Sequence, residues 1–115
     1  MDIRTKRIYE KPSPDDGFRI YVDRLWARGL TKEAARLDEW MRDIAPSDEL
    51  RKWYHHDMEK WQEFKKRYYH ELEQKPELVQ EILAKARATK ITLLYSAKNT
   101  EWNNAIALKE YLERM

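Results

Sequence analysis

The sequence has no cysteine among its 115 residues. Disulfide frameworks, thiolate metal sites and cysteine nucleophiles are therefore excluded. It has two glycines, Gly17 and Gly29, and their spacing rules out a glycine-rich phosphate-binding loop. No apolar run reaches the length of a membrane span, and no signal-peptide pattern follows Met1. We therefore expect a cytoplasmic protein with no membrane partner.

Neither sign of charge dominates the chain. Charged residues make up 38% of the sequence, yet the formal net charge is only +2. Such a small net charge does not by itself indicate binding to nucleic acid or to a membrane. The hydrophobic fraction of 42% suits one globular domain over residues 1–115, with a real core and a heavily charged surface.

Three segments have the composition of β-strands. Residues 3–9 alternate apolar and basic positions, and residues 18–25 place Phe18, Ile20 and Val22 on one face. Residues 91–95 form a short apolar run, which is typical of a covered parallel strand. A polar turn and an amphipathic helix follow this third strand, up to Leu112.

Helices are predicted over residues 48–54, over residues 57–72, and from Pro76 to the third strand. Ser47 and Asp57 are suited to cap the first two, and proline favours the first helical position. Residues 31–45 have a helical period, although an extended segment within residues 37–45 stays open as the alternative. Strands alternating with helices predict an α/β domain with a small, mainly parallel sheet of three to four strands flanked by helices.

Polar residues follow the second and third strands, where open α/β folds bind ligands. After the second strand come Asp23, Arg24 and Arg28. A buried charge at a strand end needs a partner, so one interpretation is an ion pair between Asp23 and one of these arginines. The other interpretation is an anion site, because guanidinium groups match phosphate or carboxylate. The ion pair is favoured for Asp23, and Arg28 fits both equally.

The turn after the third strand has its own candidates. Lys98 lies in the turn, and Asn103 and Asn104 are predicted in the first helical turn, where an amide side chain faces a ligand. The alternative is that Asn99 or Thr100 caps the helix while the two asparagines bond neighbouring loops. Two consecutive asparagines are unfavourable in a helix, which tips the balance toward a tertiary role.

The histidines give a weak signal. His55, His56 and His70 show no ligand spacing on one helix, so no metal site is predicted. His56 precedes Asp57, a pairing that indicates loop hydrogen bonding or a base oriented by a carboxylate. The sequence names no cofactor.

Four segments carry a family resemblance: VDRLWARG, IAPSDELRKWYHHD, WQEFKKRYYHEL and LLYSAKNTEWNNAIALKEYL. In order and over nearly the whole chain, they resemble the motifs of domain-of-unknown-function family 488, in its YeaO-like branch. The resemblance implies a small cytosolic α/β protein and supplies no established activity. The positions it points to are Asp23, Arg24, Trp26, Arg28, Gly29, Pro46, Ser47, Trp53, His56, Asp57, Tyr95, Ala97, Asn103 and Ala105.

The chain departs from the family pattern at three positions. Ala27 replaces a proline, Asn99 stands where an acid is common, and Trp102 stands where a histidine is common. Wider relatives carry a cysteine near the position of Tyr95. These losses weaken any catalytic role.

Two hypotheses follow. The first is a small anionic-ligand site, with or without enzymatic activity, at the carboxyl ends of the strands. Asp23 and His56 are its acid–base candidates, and its ligand-binding candidates are Arg24, Trp26, Arg28, Tyr95, Lys98, Asn103 and Asn104. The second is a non-catalytic binding module for protein or nucleic acid, supported by the basic first strand and the many tryptophans and tyrosines. Interleaved acidic residues make nucleic acid the less favoured partner.

Overall fold

The computed structural model describes residues 1–55 and 57–115. Its centre is strand β4 (Ile91–Tyr95), in which every residue is buried. Strands β1 (Ile3–Arg7) and β2 (Phe18–Tyr21) flank β4 and pair with it in parallel. A fourth strand, β3 (Glu39–Trp40), lies beyond β2, so the strand order is β1-β4-β2-β3. The predicted α/β class and small parallel sheet are confirmed.

Residues 31–45 do not form the predicted helix, and the extended alternative is correct for part of them. Helix α1 (Lys32–Ala35) ends at Arg36, whose φ is 49°. Strand β3 (Glu39–Trp40) then pairs with β2. Asp38 forms two hydrogen bonds with the backbone of Arg19. The Asp38 N–H donates to the Arg19 carbonyl, and the Asp38 carboxylate accepts from the Arg19 N–H. Tertiary pairing thus overrides the helical period.

The other helices lie close to their predicted positions. They are α2 (Asp48–Tyr54), α3 (Trp61–Glu73), α4 (Pro76–Ala88) and α5 (Asn104–Glu113). Short 3-10 turns occupy Pro14–Asp16, Arg42–Ile44 and Met58–Lys60. The predicted cap of α2 is confirmed, because the Ser47 hydroxyl accepts from the Leu50 N–H at 3.1 Å.

The two faces of the sheet are covered differently. Alternation along β4 sends Leu93 and Tyr95 to one face, where α2, α3, α4 and α5 contribute the main core. Leu94 points to the other face, into a smaller cluster with Tyr21 and Ala35. Because both faces are covered, β4 is buried throughout rather than alternating, and the hydroxyl of its polar residue Thr92 donates to the Asp16 carbonyl at 2.6 Å. Within the described residues, no helix is long and apolar enough to cross a membrane.

A candidate anion site at the carboxyl edge of the sheet

A cavity of about 420 Å³ opens where β2 and β4 end. Its position agrees with the place where parallel sheets bind ligands, since the strands end there and their loops diverge. The segment after β2, the segment after β4, α2 and the first turn of α5 all contribute to its wall. Its lining residues are Tyr9, Asp23, Arg24, Leu25, Trp26, Ala27, Arg28, Ala45, Pro46, Arg51, Lys52, Tyr54, His55, Phe64, Ser96, Ala97, Asn103 and Asn104.

Asp23 links the ends of β2 and β4 in the cavity wall. Its Oδ2 accepts from the backbone N–H of Ser96 at 3.0 Å, from the Ser96 hydroxyl at 2.7 Å and from the Tyr21 hydroxyl at 3.2 Å. Burial and the charge of Asp23 raise the pKa of Tyr21, so this phenol stays protonated, and its one proton is shared between Asp23 and the Leu25 carbonyl, which lies closer at 2.8 Å. Asp23 is thus held by neutral donors rather than by the predicted ion pair with Arg24 or Arg28. Its Oδ1 is buried and makes no hydrogen bond within residues 1–55 and 57–115.

Two predicted binding residues have structural partners. Arg24 donates from Nε to the Pro46 carbonyl and from Nη2 to the Ala45 carbonyl, each at 3.2 Å. These bonds fix its guanidinium in the cavity wall, and it forms no ion pair with a carboxylate of residues 1–55 or 57–115. Trp26 donates from Nε1 to the Leu30 carbonyl at 2.6 Å, and its ring packs edge-on against Tyr21. Both side chains are therefore pre-positioned.

Arg28 is exposed, and its backbone carbonyl accepts from the Tyr9 hydroxyl at 2.8 Å. Its guanidinium makes no hydrogen bond or ion pair in the described part of the chain. The ammonium group of Lys52, on the α2 side of the cavity, likewise makes no hydrogen bond or ion pair among the described residues. Among the described lining residues, the charged side chains are the cations Arg24, Arg28, Arg51 and Lys52 and the carboxylate of Asp23. Arg51 also pairs with Asp48 at 3.3 Å, next to the cavity. The cavity therefore has an excess of positive charge.

The two asparagines have separate roles. Asn103 is the N-cap of α5: its Oδ1 accepts from the Ile106 N–H and its Nδ2 donates to the Asn99 carbonyl, both at 2.9 Å. The predicted alternative caps, Asn99 and Thr100, are wrong. Asn104 donates from Nδ2 to the Val22 carbonyl at 3.0 Å and ties α5 to the end of β2. Its Oδ1 has no partner among the described residues and is the available amide atom at the cavity.

Three predicted site residues lie outside the cavity lining or outside the described residues. Tyr95 is buried in the sheet, and burial raises its pKa. Lys98 is exposed in the turn before α5 and is absent from the cavity lining. His56 lies outside the described residues.

Sequence reasoning missed the contribution of α2. Arg51, Lys52 and His55 fall on one helical face by their spacing, and all three line the cavity. Tyr54 also lines it, and its hydroxyl donates to the Trp102 carbonyl at 3.0 Å. The sequence feature that could have indicated this contribution is the basic face of the short helix that Ser47 caps. Its meaning depended on the tertiary placement of that helix.

The described residues contain no group of three or more His, Cys, Asp or Glu side chains able to hold a metal ion. The Ser96 hydroxyl donates to Asp23 Oδ2 at 2.7 Å, and the described residues place no histidine in a hydrogen bond with this hydroxyl, the arrangement that activates a serine nucleophile.

A sequence model of the family described as "Inactive DUF488-N3 subclade" matches residues 2–115. The chain belongs to this family. The resemblance indicated by the sequence motifs is therefore confirmed. "Uncharacterized protein YeaO" of Escherichia coli (strain K12) is 42% identical to this DUF488-N3i chain over 115 residues, which is 100% of both chains.

Two mycobacterial relatives match about half of this chain. "Uncharacterized protein Rv3073c" of Mycobacterium tuberculosis is 49% identical over 59 residues, covering 51% of this chain and 50% of its own. "Uncharacterized protein Mb3100c" of Mycobacterium bovis matches to the same extent. No solved structure matches the chain.

Proposed function

We propose that this protein binds a small anionic ligand in the cavity at the carboxyl edge of the sheet and does not transform it. The observation that carries the proposal is the charge of the lining, four cationic side chains against one carboxylate. Within a cavity, such an excess of one sign focuses the field and raises the local concentration of the opposite charge.

The cations fall into two kinds that suit this role. Arg24 is fixed by the carbonyls of Ala45 and Pro46, so it offers a pre-oriented charge. Arg28 and Lys52 are exposed and keep their donors free of described partners. An anion that bridges the two sides of the cavity would satisfy donors that are now solvated, at little cost of reorganisation.

Binding without catalysis is favoured by the state of the polar groups. Oδ2 of Asp23 already accepts three donors, and the buried Oδ1 is not presented to a substrate. Asn99, which replaces a commonly acidic residue, accepts from the backbone N–H groups of Glu101 and Trp102 and thus orders the turn. The family description itself carries the word inactive. His56 stays a prediction as a base.

Binding to nucleic acid is the less favoured function. All three basic side chains of β1 have partners within the chain: Arg4 pairs with Asp2 at 3.3 Å, Lys6 pairs with Asp16 at 3.1 Å, and Arg7 donates to the Ala97 carbonyl at 2.9 Å. These cations stabilise the fold rather than form an open basic face.

The predicted cytoplasmic location also stays a prediction.

The test is a titration of the ¹⁵N-labelled protein with inorganic phosphate at constant low ionic strength. We expect saturable shifts of backbone signals from α2 and from the segments after β2 and β4. The double variant Arg28→Gln, Lys52→Gln should weaken binding at least several-fold, because it removes two of the four lining charges. Arg87→Gln is the matched control, since Arg87 is exposed in α4 and does not line the cavity.

Shifts that do not saturate, or an equal loss of affinity in the Arg87 control, would contradict the proposal. A salt titration completes the test. Binding should weaken as sodium chloride rises, because exposed charges are screened over about 10 Å at 0.1 M salt.

A further inference from the structure

The exposed apolar side chains of the protein gather beside the cavity. Among residues 1–55 and 57–115, six large hydrophobic side chains are exposed, and two of these belong to the first and last residues of the sequence. The other four are Tyr9, Leu25, Met58 and Trp102. Tyr9 and Leu25 line the cavity, where they are 41% and 59% exposed. Single exposed apolar residues are ordinary, whereas a cluster of them marks an interaction surface.

Hydrogen bonds place Met58 and Trp102 next to the same cavity. The Trp102 carbonyl accepts from the hydroxyl of Tyr54, a lining residue, at 3.0 Å. Asn99 joins Met58 to Trp102: its Nδ2 donates to the Met58 sulfur at 3.4 Å, and its Oδ1 accepts from the Trp102 N–H at 2.9 Å. The four exposed side chains therefore form one apolar rim, which consists of Tyr9, Leu25, Met58 and Trp102.

The charges around the apolar rim differ between its two sides. Beside Tyr9 lies Arg28, whose backbone carbonyl accepts from the Tyr9 hydroxyl and whose guanidinium has no partner in the described part of the chain. Lys52, which is also exposed, adds a second cation to the cavity lining. Beside Met58 and Trp102, the neighbours in sequence include the exposed carboxylates of Asp57, Glu59 and Glu101. An acidic group is therefore attracted to the Arg28 side of the surface.

We propose that this surface docks an acidic segment of a partner protein. A carboxylate of the segment meets Arg28 and Lys52 in the cavity, and apolar side chains close to that carboxylate in sequence cover the apolar rim. This inference rests on the proposed function, because the carboxylate of the segment is the anion that the cavity binds. Docking uses side chains that are already exposed, so the buried core beneath the cavity stays closed.

A peptide segment matches both kinds of group on this surface, whereas a free anion matches one. A small hydrated anion engages the cations and leaves the apolar rim in water. Tyrosine, tryptophan, methionine and arginine, which are present here, are residue types enriched at protein interfaces. The Tyr9 ring is also held in place, because its hydroxyl donates to Arg28 and the Arg7 guanidinium lies 4.9 Å from the ring centroid. A side chain that is ordered before binding loses little entropy on contact.

The test is a selection of random peptides displayed on phage against the immobilised wild-type protein, in buffer without phosphate. We expect the enriched peptides to contain Asp or Glu close in sequence to Leu, Phe or Trp, because the cations and the apolar rim lie side by side. Synthetic copies of these peptides are then titrated by calorimetry. Inorganic phosphate should displace them, since both engage the same cations.

Three variants locate the contact. Leu25→Ser should weaken peptide binding about tenfold, because the interface no longer buries a leucine side chain. Met58→Ser should also weaken peptide binding and should leave the affinity for phosphate unchanged, since Met58 does not line the cavity. The unchanged affinity for phosphate also reports that the fold is intact. Met115→Ser is the control, because Met115 is 54% exposed but follows α5, about 15 Å along that helix from the cavity.

The outcomes separate the two proposals. Absence of enriched peptides, enriched peptides that lack acidic residues, or equal binding by Leu25→Ser and the wild type would overturn the docking proposal. Saturable phosphate shifts in the same samples would leave the proposed function in place, whereas failure of phosphate to bind the wild type would overturn that function itself. A concentration-dependent dimer in sedimentation that Leu25→Ser abolishes would show that a second copy covers the apolar rim, and this result would also overturn the docking proposal.

Discussion

At the scale of single residues, Asp23 stands out because one carboxylate oxygen joins two strands. Oδ2 collects donors from Tyr21 on β2 and from Ser96 after β4. Hydrogen bonds to a charged acceptor contribute about 1.5–3 kcal/mol each, more than bonds between neutral groups. Asp23 therefore determines how closely the two strand ends approach, and with them the two sides of the cavity.

The first prediction tests this link by a double-mutant cycle. Asp23→Ala should lower the free energy of unfolding by about 2–4 kcal/mol, because the Ser96 N–H and hydroxyl lose their charged acceptor, whereas the Tyr21 hydroxyl keeps the Leu25 carbonyl at 2.8 Å. Ser96→Ala should cost less, since the Ser96 N–H still donates to the carboxylate. Because both changes act on the Oγ–Oδ2 bond, urea unfolding of the double variant should reveal a coupling energy of about 1 kcal/mol or more. Strict additivity would show that the 2.7 Å bond contributes nothing to stability.

The second prediction concerns pH and Asp16. Burial alone would raise the pKa of this carboxyl, but the Ser13 N–H, Lys6 and Arg19 outweigh burial and hold the pKa below its ordinary value of 3.8. A pKa that is lower in the folded state stabilises the protein fully above the ordinary value. The stabilisation is lost as pH falls through the folded-state pKa.

The measurement is the free energy of unfolding between pH 7 and pH 2 for the wild type and Asp16→Asn. We expect the variant to be less stable at pH 7, because Lys6 and Arg19 lose their ion pairs. The difference between the two proteins should shrink as pH falls below about 4. A difference that stays constant down to pH 2 would show that the charge of Asp16 plays no part. Subtracting the variant removes the contributions of the other carboxyls.

At the scale of elements, the turn into β2 depends on a glycine with no room for a side chain. Gly17 has a φ of 66°, and a Cβ there would lie 2.3 Å from the Lys90 carbonyl oxygen. That oxygen accepts from the Phe18 N–H at 2.9 Å, so it cannot move without opening the start of the β2–β4 pairing. Gly29 has a similar φ of 77°, but nothing lies within 4 Å of a Cβ there.

The third prediction uses the two glycines as a matched pair. Gly29→Ala should cost about 1 kcal/mol, the price of a left-handed conformation for a residue with a Cβ. Gly17→Ala should cost at least about 3 kcal/mol, because backbone displacement adds to the same conformational term. Chemical denaturation of both variants measures the difference. Equal effects would mean that the Lys90 segment adapts freely.

The sequence predicted those elements whose signals are local. Ser47 and Pro76 mark the starts of α2 and α4, and the run 91–95 marks β4, because caps, fixed φ angles and fully buried strands depend on nearby residues. Around Trp40 the favoured helix was wrong and the extended alternative was correct, because the side chains divide between the two faces of the sheet: Met41 and Ile44 pack in the main core, whereas Trp40 packs in the smaller cluster. Along the sequence, the apolar residues of a helix and those of an extended segment that packs in two clusters can have the same spacing.

The sequence placed its candidate residues at the carboxyl ends of the second and third predicted strands. A cavity lies there, and Asp23, Arg24, Trp26, Arg28, Asn103 and Asn104 line it, while its role as a ligand site stays a prediction. Lys98 does not line the cavity, because the cap formed by Asn103 starts α5 after the turn and leaves the lysine in solvent. Arg51 and Lys52 were missed because no local signal says which strand ends α2 approaches.

At the scale of the whole molecule, the small net charge hides an uneven distribution. The chain carries a formal +2, yet the cavity lining alone has four cations and one carboxylate. Like charges held together repel one another, so the cluster of cations should destabilise the folded protein, and a bound anion should reduce this repulsion. Stability and binding are then opposed at the same residues.

The last prediction follows from this opposition. At low ionic strength and without phosphate, Arg28→Gln should be slightly more stable than the wild type, because one repulsive charge is removed. With phosphate present the order should reverse, because a ligand that binds only the folded state adds about 2.7 kcal/mol at 100 times its Kd. The wild type binds phosphate more tightly and gains more. Thermal unfolding with sodium phosphate, and with sodium chloride at matched ionic strength, separates binding from screening. The control variant Arg87→Gln should gain as much stability from phosphate as the wild type. If Arg28→Gln and the wild type rank in the same order of stability in both salts, the proposed opposition between stability and binding is contradicted.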